Sequence, residues 1–180
     1  MSFGLREARV FISLEELELH RVVVSETYAS GALDYRGAGF KQLGPMKVSA
    51  SAELRGQEIH IQGHIGGRLG AECDRCLTNV EIPVERDFDL YYRQLQTIAR
   101  QEEVEVPAGE LNVGFFSDAG IVLEDVVSEQ VILSVPMKVV CRTDCQGLCP
   151  VCKADLNRVQ CGCRDRPPGA ESPFSSLLEH

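Results

Sequence analysis

The chain has 180 residues, 44% of them apolar, with a formal net charge of -9 at pH 7 and a pI near 5.0. This is enough for one domain with a real core or one domain plus a small appendage, and no apolar run is long enough to span a bilayer. The acidic balance opposes extended contact with phosphate, because nucleic-acid affinity depends on neutralisation by Lys and Arg.

Met1–Arg9 carries no apolar core of an export signal, so the cytoplasm is the expected compartment, where thiols stay reduced. Val10-Phe11-Ile12 followed by Leu14-Glu15-Glu16-Leu17 reads as a strand entering a short helix. Residues 21–28, with Val22, Val23, Val24 and Thr27, read as a strand, and the Gly-rich stretch from Ser30 to Gly44 as a long loop. Met46, Val48, Ala50, Ala52 and Leu54 then alternate with Lys47, Ser49, Ser51, Glu53 and Arg55, which predicts a half-buried strand. Arg55-Gly56-Gln57-Glu58 is the turn, and Ile59, Ile61 and Ile65 carry the returning strand. Gly63, Gly66 and Gly67 suggest a bulge or second turn there.

Cys73-Asp74-Arg75-Cys76 follows, and then Val80, Ile82, Val84, Phe88 and Leu90 alternate with Glu81, Glu85, Asp87 and Asp89, with Arg86 interrupting the apolar row. The C-x-x-C therefore sits where one strand turns into the next. Inside a strand its two sulfurs would point to opposite faces, whereas a tight turn can aim both at one ion. Residues 101–110 read as an acidic solvated loop. Asp118 is the expected opener of a helix over about 120–135, with Leu123, Val127 and Val131 on its apolar face and Glu124, Asp125, Ser128 and Glu129 on its wet face. Pro136 stops it.

Cysteine occurs eight times, and all but Cys73 and Cys76 fall between Cys141 and Cys163. The tail reads Cys141-x3-Cys145-x3-Cys149-Pro150-Val151-Cys152-x8-Cys161-Gly162-Cys163. Clustered thiolates at this density, with Gly147, Pro150 and Gly162 supplying turns, point to zinc as one or two structural ions. Disulfides fit an even cysteine count but not the expected compartment, and a thioredoxin-like redox pair would need a βαβ setting that the pattern around Cys73 and Cys76 lacks.

Two partitions are open. Cys73, Cys76, Cys141 and Cys145 bind one ion while Cys149, Cys152, Cys161 and Cys163 bind another; or Cys73 and Cys76 pair with Cys149 and Cys152. The first is preferred, because Cys149 to Cys163 closes a short loop at low entropic cost. Its first site would also staple the tail to the strand turn. Either way the sites are closed and all-sulfur, unlike catalytic zinc, which keeps a position for water. His20, His60 and His64 read as surface or packing residues rather than ligands. No nucleophile–base pattern, phosphate-cradling loop or carboxylate pair is recognisable, so no enzymatic activity is expected. In the tail, Lys138, Arg142, Lys153, Arg158, Arg164 and Arg166 outnumber Asp144, Asp155 and Asp165. These bases either offset thiolate charge or face RNA.

Cys73-Asp74-Arg75-Cys76-Leu77, the helix end Val131-Ile132-Leu133-Ser134-Val135-Pro136, and Cys145-x-Gly147-Leu148-Cys149-Pro150-Val151-Cys152-x2-Asp155-Leu156-Asn157 occur in that order. This series resembles the YceD family of bacterial and plastid proteins, the large ribosomal RNA subunit accumulation proteins, over about residues 46–165. The resemblance implies a cytoplasmic role in building the large ribosomal subunit and supporting accumulation of its RNA. Lys153 departs from the Gly that the family commonly has after the last C-x-x-C.

The expected fold is α+β: a twisted antiparallel sheet or partly open barrel with one packed helix and a C-terminal zinc knuckle. Residues 1–136 form the β body, 137–166 the cysteine-rich zinc-binding tail and 167–180 a flexible tail. The expected function is that of a non-enzymatic ribosome-biogenesis factor, its acidic body suited to a basic ribosomal protein or a large-subunit assembly intermediate. Direct RNA binding through the basic tail and a thiol-redox or metal-dependent enzyme are the alternatives.

Overall fold

The computed structural model describes residues 9–94, 113–116 and 119–165. The expected acidic loop at 101–110, the helix opener Asp118 and the tail beyond residue 165 lie outside the described residues. The chain divides into two compact units, Met1–Gly70 with Glu81–Pro136, and Ala71–Val80 with Met137–His180.

Strand β1 (Phe11–Ser13) runs into helix α1 (Leu14–Leu19), as the sequence predicts. The Ser13 hydroxyl caps the helix by accepting from the Glu16 amide at 3.2 Å, and Glu15 and Glu16 place negative charge at the positive end of the helix. Leu17 is the helix's buried anchor. Strands β2 (Val22–Tyr28), β4 (Met46–Arg55), β5 (Glu58–Glu72), β6 (Asn79–Gln94) and β7 (Val113–Phe116) form the main sheet in the spatial order β2-β4-β5-β6-β7. A short β3 (Phe40–Gln42), inside the expected loop, pairs with β5 off this path.

Among the described strands the sheet is open, with β2 and β7 at its ends, which fits the sheet rather than the partly open barrel of the two expected forms. The sheet is not wholly antiparallel: β7 pairs with β6 in parallel, Tyr91 opposite Val113 and Gln94 opposite Phe116. Parallel neighbours need a long crossover, and alternation within single strands carries no information about its direction.

The β4–β5 hairpin keeps one antiparallel register from Lys47 opposite Gly66 to Arg55 opposite Glu58, closed at Gly56 with φ +65°. The sequence suggests a bulge or second turn around Gly63, Gly66 and Gly67; the pairing of β5 with β4 runs without interruption through Gly63 to Gly66. Gly63 and Gly67 answer a packing demand. A Cβ on Gly63 would meet the Phe88 ring, and one on Gly67 would meet Met46. Met46, Val48, Ala50, Ala52, Ile59, Ile61, Ile65, Leu69, Val84 and Phe88 make up the buried face of the sheet. Burying a large aliphatic side chain is worth roughly 1.5–3 kcal/mol, so this face is the body's main source of stability.

Strand β8 (Gly120–Val122) pairs with β1, with Ile12 opposite Ile121, and leads into helix α2 (Leu123–Ser134). The helix thus starts later than the expected 120, because three residues are held in strand pairing. Its N-cap is Val122, without a side-chain cap bond. Leu123, Val126, Val127 and Val131 are buried as expected. Ser128, expected on the wet face, is buried as well, as is Gln130. Arg86, the apparent break in the apolar row of β6, donates from Nε to Gln130 Oε1 at 3.1 Å, so an inward-facing base is satisfied by a buried amide. Glu124 is half-buried rather than wet. Its Oε1 accepts from the Val10 amide at 3.0 Å and the Tyr28 hydroxyl at 3.2 Å. Burial first, and the Glu124 carboxylate second, hold the Tyr28 phenol well above its ordinary ionisation range.

The architecture is thus mostly sheet, with two α-helices among the described residues, the short one and the packed one that the sequence suggests. Among the described residues no helix is long and apolar enough to cross a membrane.

Candidate metal centre

The second unit is built around two turns of the same design. In the first, Cys73-Asp74-Arg75-Cys76-Leu77, the Leu77 amide donates to the Cys73 carbonyl at 2.9 Å and the Cys73 amide to the Thr78 carbonyl at 2.9 Å. In the second, Cys149-Pro150-Val151-Cys152-Lys153, the Lys153 amide donates to the Cys149 carbonyl at 2.9 Å and the Cys149 amide to the Ala154 carbonyl at 2.8 Å. The residue after each C-x-x-C is left-handed, with φ 61° at both Leu77 and Lys153. That conformation costs a side-chain-bearing residue about 1–2 kcal/mol, so something must hold both turns shut.

Each turn also aims backbone N–H groups at its leading sulfur. Burial pushes the Cys73 thiol up, but amides of Cys141, Arg75 and Cys76 outweigh it and bring the thiol down to about 6. For Cys149 the amides of Cys152 and Val151 dominate and bring it to about 6 as well. At the far side of each cluster the opposite holds. Cys141 is raised to about 12, by burial and then by its thiol neighbours Cys145, Cys76 and Cys73. Cys163 is raised to about 12, by Cys152 and then by burial. In the first group Cys145 is lowered too, burial being outweighed by the Gly147 amide and the Asn157 side chain, so each group combines thiols that ionise readily with thiols that resist it.

The other cysteines of the first group are brought in by contacts that involve the backbone. The Asp74 amide donates to the Val139 carbonyl at 2.8 Å and the Val139 amide to Asp74 Oδ2 at 2.7 Å, which seats residues 139–141 on the first turn. The Cys141 amide then reaches Cys73 Sγ at 3.3 Å. Leu148 donates to the Arg75 carbonyl at 3.0 Å, and Gly147, with φ +73°, passes so close to that carbonyl that a Cβ would lie 3.0 Å from it. The Arg75 guanidinium returns a bond to the Cys145 carbonyl at 2.9 Å.

The sulfurs gather into two groups, Cys73, Cys76, Cys141 and Cys145, and Cys149, Cys152, Cys161 and Cys163, each with all its sulfurs within 4.8 Å of one another. This is the first of the two partitions open to the sequence. All eight cysteines are free thiols. In the first group Cys73 Sγ lies 3.9 Å from Cys145 Sγ, and Cys76 Sγ lies 3.6 Å from Cys141 Sγ. Four sulfurs at about 2.3 Å from a tetrahedral ion would be about 3.8 Å apart, so the spacing fits an S4 metal site. Either group could hold a metal ion. Among the described residues no other cluster of His, Cys, Asp and Glu comes together this way.

The histidines stand apart from the sulfurs. His60 is buried, with Nε2 2.7 Å from Asp89 and its ring stacked on Tyr91. His64 lies between Asp87 at 2.7 Å and Glu85 at 3.0 Å. His20 lies 3.9 Å from Glu16. Of the tail bases, Arg142 donates to Asn157 Oδ1 at 2.9 Å and lies 3.2 Å from Asp144, and Arg158 lies 3.5 Å from Asp155.

Residues 61–179 match the family profile of the large ribosomal RNA subunit accumulation protein YceD. The chain belongs to the YceD family. The match begins inside β5 and takes in both cysteine groups, later than the 46 suggested by the resemblance of motifs. YceD-like relatives include an uncharacterised protein of Mycobacterium tuberculosis, 35% identical over 62% of this chain and 51% of its own length. Another, from Mycobacterium leprae, is 25% identical over 62% of this chain and 49% of its own. The uncharacterised protein YlbN of Bacillus subtilis is 21% identical over 66% of this chain and 64% of its own length. The chain thus spans between about half and two thirds of the relatives it matches. No solved structure matches it.

Two residues with evident work in this YceD unit were not assigned a role from sequence. Leu77 is left-handed like Lys153, and the only signal was its position after a C-x-x-C. Asn157 was part of the motif, but its partners were not legible.

Proposed function

We propose that this YceD protein is a zinc-stabilised, non-enzymatic factor for assembly of the large ribosomal subunit, working in the cytoplasm and holding a basic ribosomal protein or an assembly intermediate that presents one. The observation that carries the zinc reading is the pair of all-sulfur groups, each with its four sulfurs within 4.8 Å of one another, the first with distances that fit a tetrahedral ion. Soft thiolates in an S4 set suit zinc, and four protein ligands leave no position for a reacting water. Such ions would serve as structure, and that is the argument against an enzyme.

The partner reading rests on family membership and charge. The exposed positions of β6 carry Glu81, Glu85, Asp87 and Asp89 at alternate places along one face. An acidic face favours a basic partner and steers its approach. Two tail bases that would serve direct RNA contact, Arg142 and Arg158, are engaged inside their own unit.

The test has two parts on the full chain purified under reducing conditions. Elemental analysis should give two zinc ions per chain; a metal-free protein with paired disulfides would overturn the zinc reading. Binding to purified large-subunit ribosomal proteins, and to ribosomal RNA alone, should show a protein partner whose affinity falls with salt and drops in an E85K/D87K/D89K variant. Retention of naked RNA only would replace the partner reading with RNA binding.

A further inference from the structure

We infer that the two cysteine groups are one coupled metal-binding unit, and that Asn157 is the positioning residue through which each group senses the other. The inference rests on the reading above that both groups hold zinc, and concerns how they fill.

Residues 146–157 form a hairpin. Leu148 and Asp155 make an antiparallel bridge, the Cys149 amide donates to the Ala154 carbonyl at 2.8 Å, and the Leu156 amide donates to the Gly147 carbonyl at 2.9 Å. The closed end of this hairpin is the Cys149–Cys152 turn, which belongs to the second metal group. Its open end lies on the first group, where Leu148 donates to the Arg75 carbonyl and Gly147 packs on that same carbonyl.

Asn157 sits at this open end with every hydrogen-bonding direction of its amide in use. Its Oδ1 accepts from the Gln146 amide at 2.8 Å and from Arg142 Nη2 at 2.9 Å. Its Nδ2 donates to Asp155 Oδ1 at 2.7 Å and to Cys145 Sγ, a ligand atom of the first group, at 3.5 Å. The Asn157 amide and Asp155 Oδ1 close a further bond at 2.9 Å, which fixes the turn that aims the side chain. A residue of the loop enclosed by the second group's cysteines thus donates to a sulfur of the first.

The consequence is thermodynamic. An N–H donated to a metal-bound thiolate disperses its charge and fixes its direction, and losing such a partner typically weakens metal affinity by about 10–100-fold. A chain segment this poor in apolar residues cannot order its hairpin by packing alone, so metal at the second group orders the loop that presents Asn157. By linkage the effect is reciprocal: metal at the first group, by seating Asn157, favours the hairpin that the second ion closes. The Asp155-Leu156-Asn157 end of the family motif, which supplies no ligand, thereby gains a function.

The experiment measures zinc affinity of the full chain by competition with a chromophoric chelator, and uses Co2+ as a spectroscopic substitute. A C161S/C163S protein, with the second group disabled, should bind one ion at the first group about tenfold or more weaker than wild type does. N157D keeps the acceptor oxygen and removes the donor. It should weaken the first group to a similar extent, shift its thiolate-to-cobalt charge-transfer band to lower energy, and make the C161S/C163S changes add little further. Equal first-group affinity in wild type and C161S/C163S proteins would overturn the coupling while leaving two zinc sites standing. An N157D protein with an unchanged band and unchanged affinity would overturn the role of Asn157. Wild-type protein that takes up no metal would remove the zinc reading itself, and the coupling with it.

Discussion

The two units of the chain are held together by different means. In the sheet body the fully buried side chains are large aliphatics such as Ile12, Met46, Ile59, Ile61, Ile65, Leu69, Leu123 and Val131. Among the described residues of the second unit the buried hydrophobic side chains are Ala71, Cys73, Cys76, Cys145 and Cys149, with Val80, Val140 and Leu148 partly buried around the first sulfur group. One region excludes water with hydrocarbon. The other puts sulfur where a core would be, and its backbone accepts two left-handed residues to aim that sulfur. A segment so short of apolar area folds only if something other than burial supplies the free energy, and metal–thiolate bonding can do so.

The sharpest way to break this comparison is to remove each support in turn. Chelation of zinc should unfold residues 137–165 and leave the body intact, since structural zinc is worth about 10–16 kcal/mol in small zinc-finger peptides. Amide exchange read residue by residue would show protection lost in the cysteine unit and kept in β4 and β5; simultaneous loss everywhere would mean that the body also depends on the metal. Conversely, Ile61→Ala should cost the body about 2–5 kcal/mol in denaturant unfolding. It should leave the number of protected thiols unchanged.

A smaller effect sharpens the picture of the turns. Leu77 is exposed and Lys153 is exposed, so replacing either with Gly gives up little packing and relieves a left-handed conformation. L77G and K153G should each stabilise the metal-loaded unit by up to about 1 kcal/mol, after allowing for the greater freedom of Gly in the unfolded chain. The measurement is the chelator concentration at which half the zinc is lost, which should rise. A fall would mean that the side chain itself supports the turn.

The smallest effect belongs to the body's exposed face. Hydrogen bonding to Asp87, and then to Glu85, outweighs desolvation and holds His64 above its ordinary 6.5. A raised folded-state value means that the charged form is favoured by folding. The contribution is therefore fully present below the unfolded value and is lost as pH rises through the folded one. An NMR titration should place the His64 midpoint above 6.5, and Asp87→Asn should lower it. An unmoved midpoint would show that the Asp87 contact contributes nothing in solution.

Much of the body was legible because its strands are half-buried. The alternation of Met46, Val48, Ala50 and Ala52 with polar residues encodes which side faces the core, and the register of the β4–β5 hairpin follows from the turn at Gly56. The apolar stripe of α2 was legible for the same reason. Its start was not, because Gly120–Val122 satisfies strand pairing with β1, a partner more than a hundred residues away in sequence. Gly63 and Gly67 were read as breaks because a glycine in isolation suggests freedom. Here they mark close approach by Phe88 and Met46, which only the folded neighbours reveal.

By itself, the amino-acid sequence determined the sulfur-rich character of the tail, the turns at Gly56 and at Cys73–Cys76 and the acidic surface, because spacing and side-chain type are local properties. It also determined the family, through motifs that lie in contiguous stretches. Only the tertiary structure decided which sulfurs gather, since Cys73 and Cys145 meet through backbone bonds from Asp74 to Val139 and from Leu148 to Arg75. It alone decided that β7 runs parallel to β6, that Arg86 finds Gln130, and that Asn157 reaches Cys145. Each of these depends on segments far apart in the chain being brought within a few ångströms, and no local pattern of residues carries that distance.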